Sequence, residues 1–368
     1  ILVQVEDYIP KQEKESVVTT SRSPVTRHQA YLDSAAIYNK TDIAKSIDFV
    51  ALSIAQLGKL GNKRELAKSL TTLGEIYLFH KQYDLAVDNF EDALDANKTI
   101  ATSLLLGKAY TLTKQFDKVV KIIEPLMEVK KIQPYQRVTM YELLGDAKTG
   151  LNEISTAVSF YNEGLTVATK NQMAPKVTDL TSKIADAYAQ GNQLIEAEAY
   201  YDNSLDLANK LAPKRALQEK EKVADFYNKK SQFTEEIAMR KNSLATLEKL
   251  NTAPQKRVLK EELGDTITTQ RINYKIANAY ISQDKYNEAI PFLEKSIVEA
   301  DSDDDLLVQK DATRKLSEVY EYRGDFNLAL KTYQDYVALV DTLYVRKEQE
   351  ISRAARFNRE IASTQSRI

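Results

Sequence analysis

The sequence predicts an all-α protein, an array of about seven to eight helical hairpins that ends in one long helix. Three observations predict it. Helix-breaking prolines recur at a period near 40, at Pro134, Pro175, Pro213 and Pro254. Between them the same pattern of small, aromatic and apolar residues returns at helical spacing. Residues 325–368 then run to the chain end with neither Gly nor Pro.

The prolines are 41, 38 and 41 residues apart, each in a patch of polar and small residues: KIQPYQ, NQMAPK, KLAPKR and NTAPQK. Proline breaks a helix interior but is welcome in a turn or a first helical position. Regularly spaced breakers therefore mark a regularly spaced unit.

The segments between them align. LGEIY at 73–77 followed by Tyr83, Ala86, Phe90 and Ala93 sets the pattern. It returns as LLLGKAY and QFDKVVKII, KIADAY and LIEAEAYY, KVADFY and QFTEEIAM, KIANAY and KYNEAIPFL, KLSEVY and DFNLALKTY. A small residue precedes a tyrosine by three in Gly74/Tyr77, Gly107/Tyr110, Ala185/Tyr188, Ala224/Tyr227, Ala277/Tyr280 and Ser317/Tyr320. Residues three apart share a helix face. The small one admits a neighbouring helix and the ring fills the space beside it. The second half carries Ala86, Ala157, Ala197, Ala289 and Ala329 at the next crossing.

Positions 74, 107, 145, 185, 224, 277 and 317 are separated by 33, 38, 40, 39, 53 and 40 residues. The long step predicts an extended first helix or an extra turn near Gly264. A degenerate unit precedes the first clear one, from Tyr31 to Leu57, with IAKSIDFVALSIAQL as its second helix. Three segments follow: an irregular polar arm over 1–24, the array over 25–340 and a terminal helix over 341–368.

These residues resemble the tetratricopeptide repeat (TPR) family over roughly residues 40–340. LGEIY, Ala86, Phe90 and Ala93 match its pattern well. Lys148 departs from the tyrosine place, Glu236 departs from the alanine place, and there is no Trp. The resemblance implies a right-handed superhelical solenoid whose groove is lined by first helices and binds a peptide or protein ligand. Some TPR domains grip a C-terminal carboxylate with Lys and Asn one turn apart. The corresponding pairs here, from Thr71/Glu75 to Arg314/Glu318, never combine the two. Three consecutive units instead place Glu142, Asp146, Asp186, Glu221 and Asp225 inward. That acidic set favours a basic ligand, or is an ordinary solvated face. Arg271, Asn278 and Arg314 form a mixed patch further along.

Several functions are disfavoured. A net charge of −2 gives no basic excess for nucleic acid. Without cysteine there is no disulfide and no thiol chemistry. No apolar run reaches the roughly 18–20 residues of a membrane span, and ILVQVEDYIP is no signal peptide. The chain starts at Ile1, which predicts a trimmed or processed piece. DSDDD at 301–305 lacks the Gly and Glu of a calcium loop, where Leu306 and Ala312 stand. His28 and His80 have no partner at ligand spacing. No phosphate-binding, dinucleotide, serine-hydrolase or zinc-protease motif occurs. The expectation is no enzyme, no cofactor and no metal.

The tail RKEQEISRAARFNREIASTQSRI raises a separate question. Val337, Val340, Tyr344, Lys347, Ile351, Ala354, Asn358, Ile361, Gln365 and Ile368 fall on alternating a and d heptad positions, seven of ten apolar. A cap over the last hairpin accounts for the first turns only. A seam through Tyr344, Ile351, Ala354, Asn358, Ile361 and Ile368 predicts a homodimer. From Thr342 onward there are six basic and three acidic side chains.

The stretch YQDYVALVDTLYVRKEQEISRAARFNREIASTQSRI resembles the junction that follows the TPR array in one type of bacterial sensor histidine kinase. The resemblance implies a two-component receptor whose sensor lies in the periplasm or another extracytoplasmic space. It implies that the last helix relays ligand binding to a membrane span and kinase beyond residue 368. The membrane would then be met only through segments outside this chain. The alternative is a freestanding TPR scaffold, cytoplasmic, joining other proteins.

Overall fold

A computed structural model describes residues 24–58, 61–250 and 266–365. Residues 1–23 of the predicted arm, Pro254, Gly264 and Ile368 lie outside the described residues, and Pro24 opens the first helix. Those residues form sixteen α-helices and one short 3-10 turn, with no strand among them. The helices are α1 Pro24–Tyr38, α2 Ile43–Gly58, α3 Lys63–Phe79, α4 Tyr83–Ala96, α5 Ile100–Leu112, α6 Phe116–Ile123, α7 Pro134–Gly150 and α8 Ile154–Lys170. They continue as α9 Ala174–Gln190, α10 Leu194–Asn209, α11 Pro213–Lys229, α12 Phe233–Leu250, α13 Thr269–Ile281, α14 Tyr286–Ser302, α15 Leu306–Tyr322 and α16 Phe326–Gln365. Two compact units divide the chain: residues 1–153 with 354–368, and residues 154–353.

In the first unit, α1 packs on α2, α3 on α4 and α5 on α6. Side chains start the helices where the sequence supplies them. Glu65 N–H donates to Asn62 Oδ1 at 3.2 Å and Thr102 N–H to Thr99 Oγ1 at 3.1 Å, each satisfying a donor that a helix start leaves open. Pro134 opens α7 at a position where no N–H is needed.

The small-residue rule has a physical cause here. A Cβ on Gly74 would stand 2.5 Å from the Phe90 ring, so α3 and α4 meet as closely as that ring allows. Phe90, Tyr77 and Ala86 are fully buried around it. At Gly107 the added carbon would meet Ile123 at 3.0 Å and Leu143 at 3.1 Å. The buried Gly145, Leu144 and Met140 continue this core into α7.

In the second unit the same device recurs with alanine. Ala185, Ala224 and Ala277 are fully buried, as are Ala197 and Ala289 opposite two of them. One cluster joins Ala185, Ala197, Tyr201, Val223 and Phe226, and another joins Ala277, Ala289, Leu293, Ala312 and Val319. Each core borrows from the next hairpin, so no hairpin buries its apolar face alone. Pro175 and Pro213 lie in the first turns of α9 and α11. Asp305 Oδ1 caps α15, accepting from Val308 N–H at 3.3 Å.

First helices end alike in both units. Gln82 N–H donates to Tyr77 O at 2.9 Å, Gln115 to Tyr110 at 2.8 Å, Gln193 to Tyr188 at 2.9 Å, Gln232 to Tyr227 at 2.9 Å and Asp325 to Tyr320 at 2.8 Å. This bond from two residues past the helix cap back to the last turn needs a left-handed residue between. That residue is Lys81, Lys114, Asn192, Ser231 or Gly324, with φ from 58° to 82°. Only Gly324 adopts it without a Cβ penalty. The repeat tyrosine thus anchors both the hairpin core and the turn that closes the helix.

The long sequence step resolves only in part. α13 starts at Thr269, with Thr268 as its cap, and runs 13 residues. The expected boundary at 340/341 has no structural mark, because α16 is one continuous helix of 40 residues.

Candidate functional site

The candidate groove residues fall into both units. Glu142 and Asp146 lie half-buried on α7 in the first. Asp186, Glu221, Asp225, Arg271, Asn278 and Arg314 belong to the second, on α9, α11, α13 and α15.

Arg240, on α12 and 2% exposed, organises the second set. Its Nη1 lies 2.7 Å from Glu221 Oε2, its Nη2 2.6 Å from Asp225 Oδ1 and its Nε 2.8 Å from Glu236 Oε1. Lys275 Nζ approaches Asp225 Oδ1 at 2.9 Å, and Asn228 donates to Glu236 Oε2 at 2.8 Å. One unit earlier, Lys222 Nζ lies 2.9 Å from Asp186 Oδ2, and Tyr201 donates its hydroxyl proton to Asp186 Oδ1 at 2.7 Å.

The inward carboxylates of the second unit are therefore ion-paired. Arg240, Lys222 and Lys275 stand against Asp186, Glu221, Asp225 and Glu236. Three cations against four anions leave one negative charge where the carboxylates taken alone suggest an acidic strip. Burial pushes the Glu221 carboxyl up, against the pull of Arg240. Burial also pushes Asp225 up, but hydrogen bonds from Arg240 and Lys275 outweigh it and hold it below the usual carboxylate value. Burial works against the charge of Arg240, and Glu221, Asp225 and Glu236 together raise it further above its ordinary value. Burial and the Asp186 carboxylate raise the Tyr201 phenol.

Sequence reasoning missed Arg240, though a signal was present. Glu236 occupies the place of the repeat alanine, and an acid buried at a helix crossing requires a cation. Arg240 lies four residues on, at the place of Phe90, and supplies it.

Arg271, Asn278 and Arg314 do not converge on one another through any bond. Arg271 Nη2 reaches Asp305 Oδ2 at 3.4 Å. Asn278 is half-buried. Arg314 pairs with Glu318 at 3.1 Å and lies 5.9 Å over the Tyr336 ring. Of DSDDD, Asp301 and Ser302 end α14 and the last three residues form the α14–α15 turn, with Asp304 left-handed at φ 57°. No group able to hold a metal ion occurs among the described residues. His28 lies 3.0 Å from Glu65, and His80 Nε2 lies 2.6 Å from Asn39 O.

Along α16 an apolar stripe faces outward. Leu330, Tyr333, Val337, Val340, Tyr344 and Ile351 are all exposed and spaced by three, four or seven residues. Tyr344, at 66%, and Ile351, at 69%, belong to the predicted seam, and Ala354 and Asn358 are exposed beyond them. Ile361 differs: it is 4% exposed and buried in the first unit. Among the described residues no helix is long and apolar enough to cross a membrane.

The family model of the tetratricopeptide repeat matches residues 67–100 and 270–297. Lipopolysaccharide assembly protein B of Escherichia coli (strain K12) is 22% identical over 240 residues, 64% of this chain and 55% of that protein. The chain thus spans about half the length of the curated relatives it matches there. Tetratricopeptide repeat protein 21A of Mus musculus is 28% identical over 142 residues, 38% of this chain and 10% of that protein. Among solved structures, a Signal Transduction ATPase with Numerous Domains protein with a tetratricopeptide repeat sensor, from Pyrococcus horikoshii, aligns with TM-score 0.59 at 12% identity. It covers 94% of this chain and 56% of that one. A Rap protein complexed with Competence and Sporulation Factor aligns with TM-score 0.51 at 13% identity, covering 90% and 92%. At these identities the structures establish the fold alone. Residues 67–100 and 270–297 therefore match the tetratricopeptide repeat itself, and the whole array shares the helical-hairpin fold of these structures.

Proposed function

We propose that this TPR array is the sensor and interaction part of a bacterial two-component receptor, extracytoplasmic, which binds a peptide or protein ligand and relays the event through α16. A repeat array of this kind is an interaction scaffold. The observation that carries the finer reading is α16 itself. It starts as the second helix of the last hairpin, continues unbroken for 40 residues and keeps an apolar stripe in solvent. A cap needs to cover only the hairpin before it. A stripe at heptad spacing favours a helix partner, and a second copy of α16 offers the same stripe.

Two neighbours in fold lend this reading company: one carries a TPR sensor and another is complexed with a factor. Relay requires that the ligand bind two states of the array with different affinity. The codons that follow Ile368 test the assignment. A membrane span and a kinase there support it; a frame without either refutes it and leaves the freestanding scaffold. The weak likeness to an assembly protein favours that second reading.

A further inference from the structure

The last hairpin leaves open the face on which earlier hairpins seat their successor. Ten residues after the start of each second helix stand Ser53, Ala93, Gly164, Ser204, Ser243 and Ser296, all buried. Two of them bond across to the first helix of the next hairpin, Ser53 to Ser69 at 2.9 Å and Ser204 to Glu219 at 2.6 Å. A small residue there is the seat of that helix. α16 fills the seat with Tyr336, and the Arg314 guanidinium lies 5.9 Å over its ring. Seven residues after the start, the rings of Phe90, Tyr161 and Tyr201 are buried, whereas Tyr333 is 51% exposed. At the start itself, Phe116 and Ile154 lie against Gly150 and Gly191 at the end of the next first helix, whereas Phe326 is 69% exposed. The face is thus apolar as a stacking face is, but a further hairpin of the repeat kind has no seat on it.

Phe326, Leu330, Tyr333, Val337, Val340 and Tyr344 line this face at spacings of three and four. At about 200 Å² for an aromatic side chain, the exposed parts of the three rings offer roughly 370 Å². That is near half of the roughly 800 Å² that each partner gives a standard interface, and the three aliphatic side chains add to it. All six are uncharged, and Lys347 is the first charge in the same register. A two-fold pair lays a surface on its own copy, which this stripe permits without bringing like charges together. The other end of the array does not match it. α1 holds Gln29 and Asp33 exposed, bonded to each other at 2.9 Å. Head-to-tail stacking would strip water from the Asp33 carboxylate against apolar side chains, so the closed pair is left. The tail adds little: Ile361 is already covered within its own chain, and Asn358 is polar.

We propose that a second copy of this chain covers the last hairpin itself, with α16 from Phe326 to Tyr344 lying against the same segment of its partner. The interface is therefore the open end of the array rather than the tail beyond Ile351. This inference rests on the reading of α16 as an interface; the receptor assignment is decided separately, by the codons after Ile368.

Sedimentation equilibrium of the whole chain tests it with two double variants. Leu330→Glu with Tyr333→Glu should raise the dimer dissociation constant at least tenfold. Ala354→Glu with Asn358→Glu, in the tail, should leave it within twofold. A wild-type chain that stays single, its stripe left for a different helix, overturns the proposal. So does a hairpin variant that still pairs, or a tail variant that weakens pairing as much. A second readout needs no glutamate in the hairpin. The chain has no cysteine, so Val337→Cys and Lys331→Cys each supply one thiol, on the stripe and on another face of α16. Alkylation of the first should slow at least fivefold as concentration rises, and that of the second should not change. Protection of both or of neither overturns the placement.

Discussion

Two hairpins solve the same crossing in opposite ways. In α3/α4 the contact is Gly74 against Phe90, with Ala86 beside it, dry and fully buried. In α11/α12 the equivalent places hold Ala224, Arg240 and Glu236, and the crossing is filled by a guanidinium with three carboxylates. Dispersion and exclusion of water hold the first. The second offsets the desolvation of several charges because each guanidinium nitrogen of Arg240 meets a carboxylate. A fold position can therefore stay constant while its chemistry inverts, provided the neighbouring positions change together.

The largest expected effect breaks the ionic crossing. Arg240→Ala leaves Glu221 and Glu236 buried without their cation and should cost about 3–5 kcal/mol in denaturant unfolding. Converting the crossing to the other kind, with Arg240→Met, Glu236→Ala and Glu221→Leu together, should cost far less or even stabilise, since buried ion clusters are often replaced by apolar side chains without loss. Equal damage from both changes would mean that the cluster adds stability beyond filling its space.

The apolar crossing should fail by overpacking. Gly74→Ala drives a carbon into the Phe90 ring, which costs about 1–3 kcal/mol against about 1 kcal/mol gained in helix propensity. Thermal unfolding should therefore show a net loss. Restoring room with Phe90→Leu in the same chain should recover part of it.

The pH dependence separates the two acids of the ionic crossing. Asp225 is held below its ordinary value, so its contribution is present above the unfolded value of about 3.9 and lost as pH falls through the folded one. Glu221 is raised, so its contribution is present below about 4.3 and lost as pH rises through the folded value. The stability of Asp225→Asn minus wild type should fall as pH rises across this window, and that of Glu221→Gln should rise. Slopes of the same sign would contradict the assigned shifts.

The smallest effect concerns the turns shared by both kinds of hairpin. Lys114 holds φ 59°. Relief of a left-handed penalty of roughly 1–2 kcal/mol, less the roughly 0.5–1 kcal/mol entropy cost of glycine, predicts that Lys114→Gly stabilises by about 0.5 kcal/mol.

Much of this architecture was legible in the sequence. Gly74, Ala185 and Ala224 announced the crossings because only a small residue permits two helices that close. The prolines announced helix starts because their missing N–H is harmless there. The ion pairs were hidden because a first-helix carboxylate at 225 finds its cations at 240 and 275, a pairing that only the stacking of hairpins creates. Glu236 was noted as a departure, yet its partner four residues on was not. The stripe on α16 was legible as heptad spacing, but the burial of Ile361 was not, because it depends on the unit into which residues 354–368 fold.

The central claim is that α16 is an interface and more than a cap, and sedimentation equilibrium tests it directly. Val337 and Tyr344 are 42% and 66% exposed, so Val337→Glu with Tyr344→Glu should leave the array folded. The wild-type chain is predicted to approach twice its 41.7 kDa mass as concentration rises, and the double variant to remain at 41.7 kDa. A wild-type chain that stays at the single-chain mass at every concentration would contradict the claim.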